Sequence, residues 1–199
     1  MDKELTKKLI SEAQKYLEEK PQDLFHDFLH HARVWKLAQQ LVTNEQLDSV
    51  DTDILELICW WHDVEVPDIE HSDKIRVAAR TARYLSDKVS LEYREIVFDS
   101  VKNHEFGLMP RYLEGKILQD ADKLEVLSLI RANNALPMVE SGRVSKDEML
   151  SIHEMVVNKW LPIMPDLYHF DFSRKFHAKH VSAAIAKWNE IKEKLQRMK

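Results

Sequence analysis

The 199-residue chain is short of the residues that build disulfide-rich proteins and glycine-rich nucleotide loops. Its one cysteine, Cys59, cannot form an internal disulfide, and one thiol is too few for a thiolate-rich structural zinc site. Three glycines leave no glycine-rich phosphate loop and no dinucleotide-binding fingerprint. Runs of alternating β-branched residues are also lacking, so the sequence gives little indication of β-strands.

Neither an excess of basic residues nor a long apolar run is present. The chain has 34 acidic and 29 basic residues in a mixed distribution, so no basic field favours a nucleic-acid polymer or an anionic membrane as partner. No uncharged apolar run approaches the roughly 20 residues that span a bilayer. The first ten residues lack the apolar segment of a secretory signal. We therefore expect a cytoplasmic protein without a membrane partner.

Helical periodicity, in contrast, recurs along nearly the whole chain and predicts an all-α fold of roughly seven to nine helices. Residues 52–62 are apolar almost all round, which predicts the most buried helix. Ser72, Ser90 and Ser145 are predicted N-caps, and breaks are predicted at prolines and glycines. These breaks fall at Pro67 with Asp68, Gly107 to Pro110, Pro137 to Gly142, and Pro162 with Pro165.

Ten histidines are many for a chain of this length, and several stand beside apolar helices. His62 and Asp63 follow the apolar residues 52–61, and Asp122 is flanked by leucines and an isoleucine. Each residue taken alone is better explained as a hydrogen-bonded core group. Together they indicate a shared cation site, because buried carboxylates need a cation or many hydrogen bonds, and one divalent cation would satisfy all of these residues.

The order of these residues resembles the signature of the HD-domain metal-dependent phosphohydrolase superfamily. His30, His62 with Asp63, and Asp122 correspond to its H…HD…D pattern. The flanking segments are similar as well: "HDFLHHARV" and "LQDADKLE" resemble those of small bacterial HD proteins, as do "HSDKIRVAARTARYL" and "SVKNHE". The resemblance covers about residues 20–130. It implies a single HD-like domain over residues 1–199, with C-terminal helices in residues 145–199 packing on the core.

The resemblance further implies a helical bundle with a central metal site. His30, His62, Asp63 and Asp122 would be the ligands, and this nitrogen and oxygen set suits Mn²⁺, Fe²⁺, Co²⁺, Ni²⁺ or Mg²⁺. The implied activity is hydrolysis of a small phosphorylated metabolite, a nucleotide first, by metal-activated water. One metal ion is favoured, and two remain open.

Further roles are assigned with structural alternatives left open. Arg33 and Lys123 are candidates for binding phosphate, and Glu65 is preferred over Asp68 for proton transfer. His26 and Asp120 would support the ligands, with Asp120 as a helix cap in the other interpretation. His71 and His104 are candidates for a second metal ion or a phosphate contact.

Two other functions remain open at this stage. A dinuclear-iron oxygenase would require His71 and His104 as additional ligands. A non-catalytic module that binds metal or nucleotide to regulate a partner would need no turnover. For the leading hypothesis the partner is a small phosphorylated substrate, and homo-oligomer formation is left open.

Overall fold

The computed structural model describes residues 1–19, 25–64 and 77–198, and these residues form helices without any β-strand. The all-α prediction is confirmed. The single-domain organisation stays a prediction. A π-helical turn, Met155–Trp160, joins α8 to α9. The helices are α1 (Lys3–Glu19), α2 (Phe28–Glu45), α3 (Thr52–Trp61), α4 (Val77–Ser86), α5 (Leu91–Lys102), α6 (Leu113–Glu125), α7 (Leu129–Glu140), α8 (Lys146–Glu154), α9 (Leu161–Leu167) and α10 (Asp171–Arg197).

Side-chain caps fix the starts of several helices. The Asp27 carboxylate accepts a hydrogen bond from the backbone N–H of His30 at 2.7 Å and so begins α2 one turn before the predicted metal ligand. Ser145 and Glu148 form the predicted capping box of α8. Ser90 stands at the N-cap of α5 without a side-chain bond. The predicted cap Ser72 lies outside the described residues.

One predicted break is wrong, because α9 contains both Pro162 and Pro165. The break predicted at Pro137 to Gly142 is partly confirmed, because α7 passes through Pro137 but ends at Glu140. Pro162 lies in the first turn of α9, directly after the π-helical turn. The break predicted at Gly107 to Pro110 does separate α5 from α6.

Helix α3 lies at the centre of the first of two hydrophobic cores, as its apolar sequence predicts. Seven of its side chains are buried, and Trp61 is fully buried with its indole N–H donating to the backbone carbonyl of Leu9 at 2.9 Å. Helix α3 contacts α1, α2, α5 and α6. The rigid packing of α3 fixes the position of the residues that follow it, His62 and Asp63.

The second core is built from α7 to α10 around Trp188, together with residues at the end of α6. Helix α10 packs on α7, α8 and α9 and also on α2 and α6 of the first core, so α2 and α6 contact both cores. In the described part of the chain, no helix is both long enough and apolar enough to cross a bilayer.

Candidate metal centre

Three helices bring the four predicted ligands together. His30 comes from the first turn of α2, His62 and Asp63 follow the end of α3, and Asp122 lies in the last turn of α6. One nitrogen or oxygen atom of each lies within 4.8 Å of the others. His30 Nε2 is 3.2 Å from His62 Nε2 and 3.5 Å from Asp122 Oδ1, and His62 Nε2 is 3.3 Å from Asp63 Oδ2. We call these four residues the ligand cluster.

The groups behind the imidazoles fix their tautomers. Nδ1 of His62 lies 2.9 Å from the Cys59 carbonyl oxygen, which only accepts hydrogen bonds, so Nδ1 carries the hydrogen. Nδ1 of His30 lies 3.2 Å from a carboxylate oxygen of Glu125 without hydrogen-bond geometry, and the negative charge of that carboxylate favours a hydrogen on Nδ1. The two Nε2 atoms therefore present lone pairs to each other across 3.2 Å.

This cluster concentrates electron-pair donors around one point. Two lone-pair nitrogens face two carboxylates, and both imidazoles are fully buried. Neighbouring ligands at about 2.1 Å from an octahedral divalent ion stand about 3 Å apart. The separations of 3.2 to 3.8 Å within the ligand cluster fit that arrangement. The donor set thus fits a divalent metal ion.

The two carboxylates of the cluster stay ionised despite their burial. Burial alone would raise the pKa of Asp122, but Lys123 and the neighbouring histidines hold it well below its usual range. Burial likewise opposes ionisation of Asp63, whereas His62 and His104 hold its pKa well below the usual value. Burial lowers the pKa of His30, so its imidazole is neutral at pH 7. Neutral imidazoles and ionised carboxylates are the forms that bind metal.

Glu125 is a part of the site that the sequence analysis did not identify. Its side chain is fully buried in the last turn of α6, one turn beyond Asp122, and it faces the back of His30. Arg33 Nε donates to Glu125 Oε1 at 2.7 Å, and Arg131 Nη1 donates to Oε2 at 2.9 Å. Burial would raise the pKa of Glu125, but His30, Arg131 and Arg33 lower it to about 2.

Arg33 takes part in an ion pair within the protein, which was the structural alternative to phosphate binding. Its Nε pairs with Glu125. Nη2 of Arg33 is buried without a hydrogen-bond partner. The spacing did contain a signal: His30 and Arg33 on α2, and Asp122 and Glu125 on α6, are both three residues apart on contacting helices.

Lys123 lies beside the cluster, as a phosphate-binding residue would. Its ammonium is 2.5 Å from Asp122 Oδ2 and 5.9 Å from the centre of the Phe106 ring. The side chain is only 15% exposed, so its charge is partly shielded from water. The interaction with Asp122 orients Lys123 at the edge of the site.

His104 joins the site through Asp63. Its Nε2 lies 3.1 Å from Asp63 Oδ1, and its Nδ1 lies 2.6 Å from the Val101 carbonyl oxygen. Burial lowers the pKa of His104, but Asp63 outweighs it and the net pKa is raised. Asp63, His104 and Glu105 form a second group with metal-ligand spacing. The other residues predicted here, Glu65, Asp68 and His71, lie outside the described residues.

The two predicted supporting residues have different surroundings. The His26 ring contacts the His30 ring edge-on, with 5.6 Å between centroids. Asp120 instead accepts hydrogen bonds of 3.0 to 3.2 Å from the backbone N–H groups of His169 and Phe170, at the start of α10. Burial raises the pKa of Asp120 to about 6. The hydrogen bonds of Asp120 thus hold the segment that leads into α10.

A family model described as HD domain matches residues 27–127, just over half of the chain. No curated protein matches it in sequence. Among solved structures, Bacillus subtilis YpgQ in complex with ADP matches with a TM-score of 0.65 and 19% identity, over 98% of this chain and 97% of that one. A Lactobacillus plantarum protein matches with a TM-score of 0.69 and 17% identity, over 100% of both chains.

A third structure, a predicted HD superfamily hydrolase from an uncultured Thermotogales bacterium, has a TM-score of 0.58 and 20% identity, with 91% of this chain and 90% of that one covered. At such identities the structures establish the fold alone. The family model contributes the sequence evidence, and it spans all four residues of the ligand cluster. The chain belongs to the HD domain family.

Proposed function

We propose that this protein is a metal-dependent phosphohydrolase that acts on a small phosphorylated metabolite, with a nucleotide as the first choice. The observation that carries the proposal is the ligand cluster, in which lone-pair nitrogens face ionised carboxylates with the ammonium of Lys123 beside them. Membership of the HD domain family supports the same reaction class.

In this proposal His30, His62, Asp63 and Asp122 hold a divalent ion. When bound, the ion supplies an activated water molecule and polarises a phosphoryl oxygen. Glu125 keeps the hydrogen of His30 on Nδ1 and so keeps Nε2 available, as a carboxylate behind a metal-binding histidine commonly does. Arg33 and Arg131 hold Glu125 in place.

Lys123 is proposed to bind a phosphate oxygen of the substrate. Its ammonium is already oriented by Asp122 and is close enough to the cluster to neutralise charge on a phosphoryl group there. Arg33 is proposed to act mainly through Glu125, because its Nε is committed to that carboxylate. Nucleotide is the preferred substrate class because Bacillus subtilis YpgQ, a protein of the same fold, has a structure in complex with ADP.

The dinuclear-iron alternative is supported by one observation. Asp63 belongs both to the ligand cluster and to the group with His104 and Glu105, and a carboxylate in that position is suited to bridge two ions. Metal content separates the alternatives: one divalent ion per chain with phosphate release supports the hydrolase, and two irons per chain with oxygen consumption support the oxygenase.

The test is a screen of phosphate and pyrophosphate release from a panel of nucleotides and phosphoesters with each candidate divalent metal. We expect release that requires metal and disappears in Asp122→Asn. A buried histidine of the second core provides the control, because His153→Phe should leave the activity intact. Metal binding without turnover of any substrate would support the non-catalytic regulatory module and contradict the hydrolase.

A further inference from the structure

A cavity of about 200 Å³ opens beside Lys123, between the segment that follows His104, helix α6 and the junction of α9 with α10. We call it the side cavity. The larger part of its lining is apolar. The large side chains of this apolar part are Phe106, Leu108, Met109, Met164, Leu167 and Tyr168.

Lys123 connects the side cavity to the ligand cluster. It lines the cavity, and its ammonium contacts Asp122 while lying 5.9 Å from the ring of Phe106. A substrate whose phosphate sits at the cluster can therefore extend past Lys123 into the side cavity. The lining also contains an exposed carboxylate, Asp166 on α9, and its negative charge disfavours phosphate at that position.

The polar groups of the cavity wall are already occupied by hydrogen bonds within the protein. The Gln119 amide donates to three backbone carbonyls, of Asn103, Glu105 and Leu108, at 2.8 to 3.2 Å. Its oxygen accepts from His169 Nε2 at 2.6 Å. The Asp120 carboxylate accepts from the backbone N–H groups of His169 and Phe170, just before α10. These groups make the wall rigid and leave apolar contact and stacking as the main means of binding.

The size and chemistry of the cavity select the kind of group that fits. Pockets for whole drug-sized ligands measure about 300 to 1,000 Å³, so this volume suits one ring system and not an entire nucleotide. Phe106 is held by stacking on Trp160, with 5.7 Å between centroids and 17° between planes. Leu108 and Met109 remain 46% and 75% exposed at the cavity, and no described residue covers these apolar surfaces.

We propose that the side cavity binds the aromatic base of a nucleotide substrate whose phosphates lie at Lys123 and the ligand cluster. This inference rests on the proposed function for the position of the phosphates. Because stacking on apolar walls depends little on which base is present, the cavity distinguishes substrates with a base from those without one more strongly than one base from another.

Methionine methyl groups report on the side cavity directly. Of the seven methionines, Met109 and Met164 line it, whereas Met1, Met138, Met149, Met155 and Met198 do not. In the Mg²⁺-loaded protein with ¹³C-methyl methionine, adenosine and ADP should shift the Met109 and Met164 signals at ligand concentrations that leave the other five unchanged. Inorganic tripolyphosphate, which has no base, should leave both cavity methyls nearly unshifted. Unchanged Met109 and Met164 signals at saturating ADP would overturn the proposal.

A matched pair of variants on α9 tests the same point by kinetics. Leu167 lines the cavity and is 43% exposed, while Ile163 is 46% exposed and lies outside the lining. Leu167→Gln should raise KM for nucleoside phosphates about three- to tenfold and leave tripolyphosphate hydrolysis unchanged. Ile163→Gln should change neither. Equal effects of Leu167→Gln on both substrates would refute the base-binding role.

The two experiments separate this inference from the proposed function. Cavity methyl shifts with adenosine, in a protein that hydrolyses no phosphate compound, would support base binding and contradict the hydrolase. Hydrolysis of nucleotides without any response of the cavity methyls or of Leu167→Gln would support the hydrolase and contradict base binding.

Discussion

Buried histidines occur in both cores of the molecule, and the difference lies in what their nitrogens face. In the first core, His30 and His62 point lone-pair nitrogens at each other and at carboxylates. In the second core, His153 Nε2 lies 3.0 Å from the Asn189 amide oxygen, and His177 Nδ1 lies 3.1 Å from the Tyr168 hydroxyl. All four are at least 97% buried.

The comparison shows that burial alone does not identify a functional histidine. The partners in the second core are neutral groups, so these histidines do not stand against buried carboxylates. The ligand cluster consists of acceptors that face acceptors, an arrangement that a cation stabilises. Variants that remove a side chain from one region or the other test this difference.

The largest expected effect is the loss of activity when the ligand cluster is broken. Removing a ligand forfeits several kcal/mol of transition-state stabilisation, which corresponds to about 10²- to 10³-fold in rate or more. Asp122→Asn and His62→Ala should therefore lose phosphate release by at least that factor, and His153→Phe should keep it within about twofold of wild type. Comparable losses in the cluster variants and in His153→Phe would abolish the distinction between the two regions.

A smaller effect is expected at Glu125, which links the cluster to the bundle. Glu125→Gln should weaken Mn²⁺ binding by about 10- to 100-fold, because the carboxylate behind His30 is lost. Leaving Arg33 and Arg131 buried without their anion should also cost about 3 to 5 kcal/mol of unfolding free energy. Titration calorimetry and denaturant unfolding measure the two quantities. Unchanged Mn²⁺ affinity in a folded Glu125→Gln protein would contradict the role of Glu125.

Bound metal should stabilise the fold through the ligand cluster. At a free Mn²⁺ concentration 100 times its Kd, wild type should gain about 2.7 kcal/mol of unfolding free energy, and chelator should reverse the gain. Mn²⁺ should no longer stabilise Asp122→Asn, because a ligand of the cluster has lost its charge. Thermal unfolding of both proteins with and without Mn²⁺ measures this difference. An equal gain from Mn²⁺ in Asp122→Asn and in wild type would contradict the role of Asp122 as a ligand.

The smallest effect is expected in the second core. His153→Phe removes a hydrogen bond to Asn189 and should cost about 0.5 to 1.5 kcal/mol of unfolding free energy, since the exposed Asn189 amide can bond to water instead. The stabilisation by Mn²⁺ should be the same as in wild type. A reduced Mn²⁺ increment in this variant would show that the two regions are coupled.

Local patterns were sufficient for the parts of the site that lie on one helix. The apolar residues 52–61 predict α3, and the position of His62 and Asp63 at its end follows directly. The resemblance to the HD superfamily supplied the grouping of His30 and Asp122 with that pair. The spacing of residues along the chain could not supply it, because these side chains meet only through the packing of α2, α3 and α6.

Long-range partners account for what was missed. Glu125 is one of many acids on helices, and its role depends on Arg33, which is 92 residues away in sequence. Asp120 accepts hydrogen bonds from a segment about 50 residues later, so this contact follows from tertiary packing and not from a local motif. The helix through Pro137 shows tertiary context overriding a local breaker signal.

The most direct test of the central claim is a titration of the metal-free protein with Mn²⁺, with bound metal counted by equilibrium dialysis and calorimetry. The ligand cluster predicts a saturable site in wild type and in His177→Phe. It also predicts no such site in Asp63→Asn or Asp122→Asn. Equal Mn²⁺ binding by all four proteins, or no saturable binding by wild type with any of the candidate metals, would contradict the account.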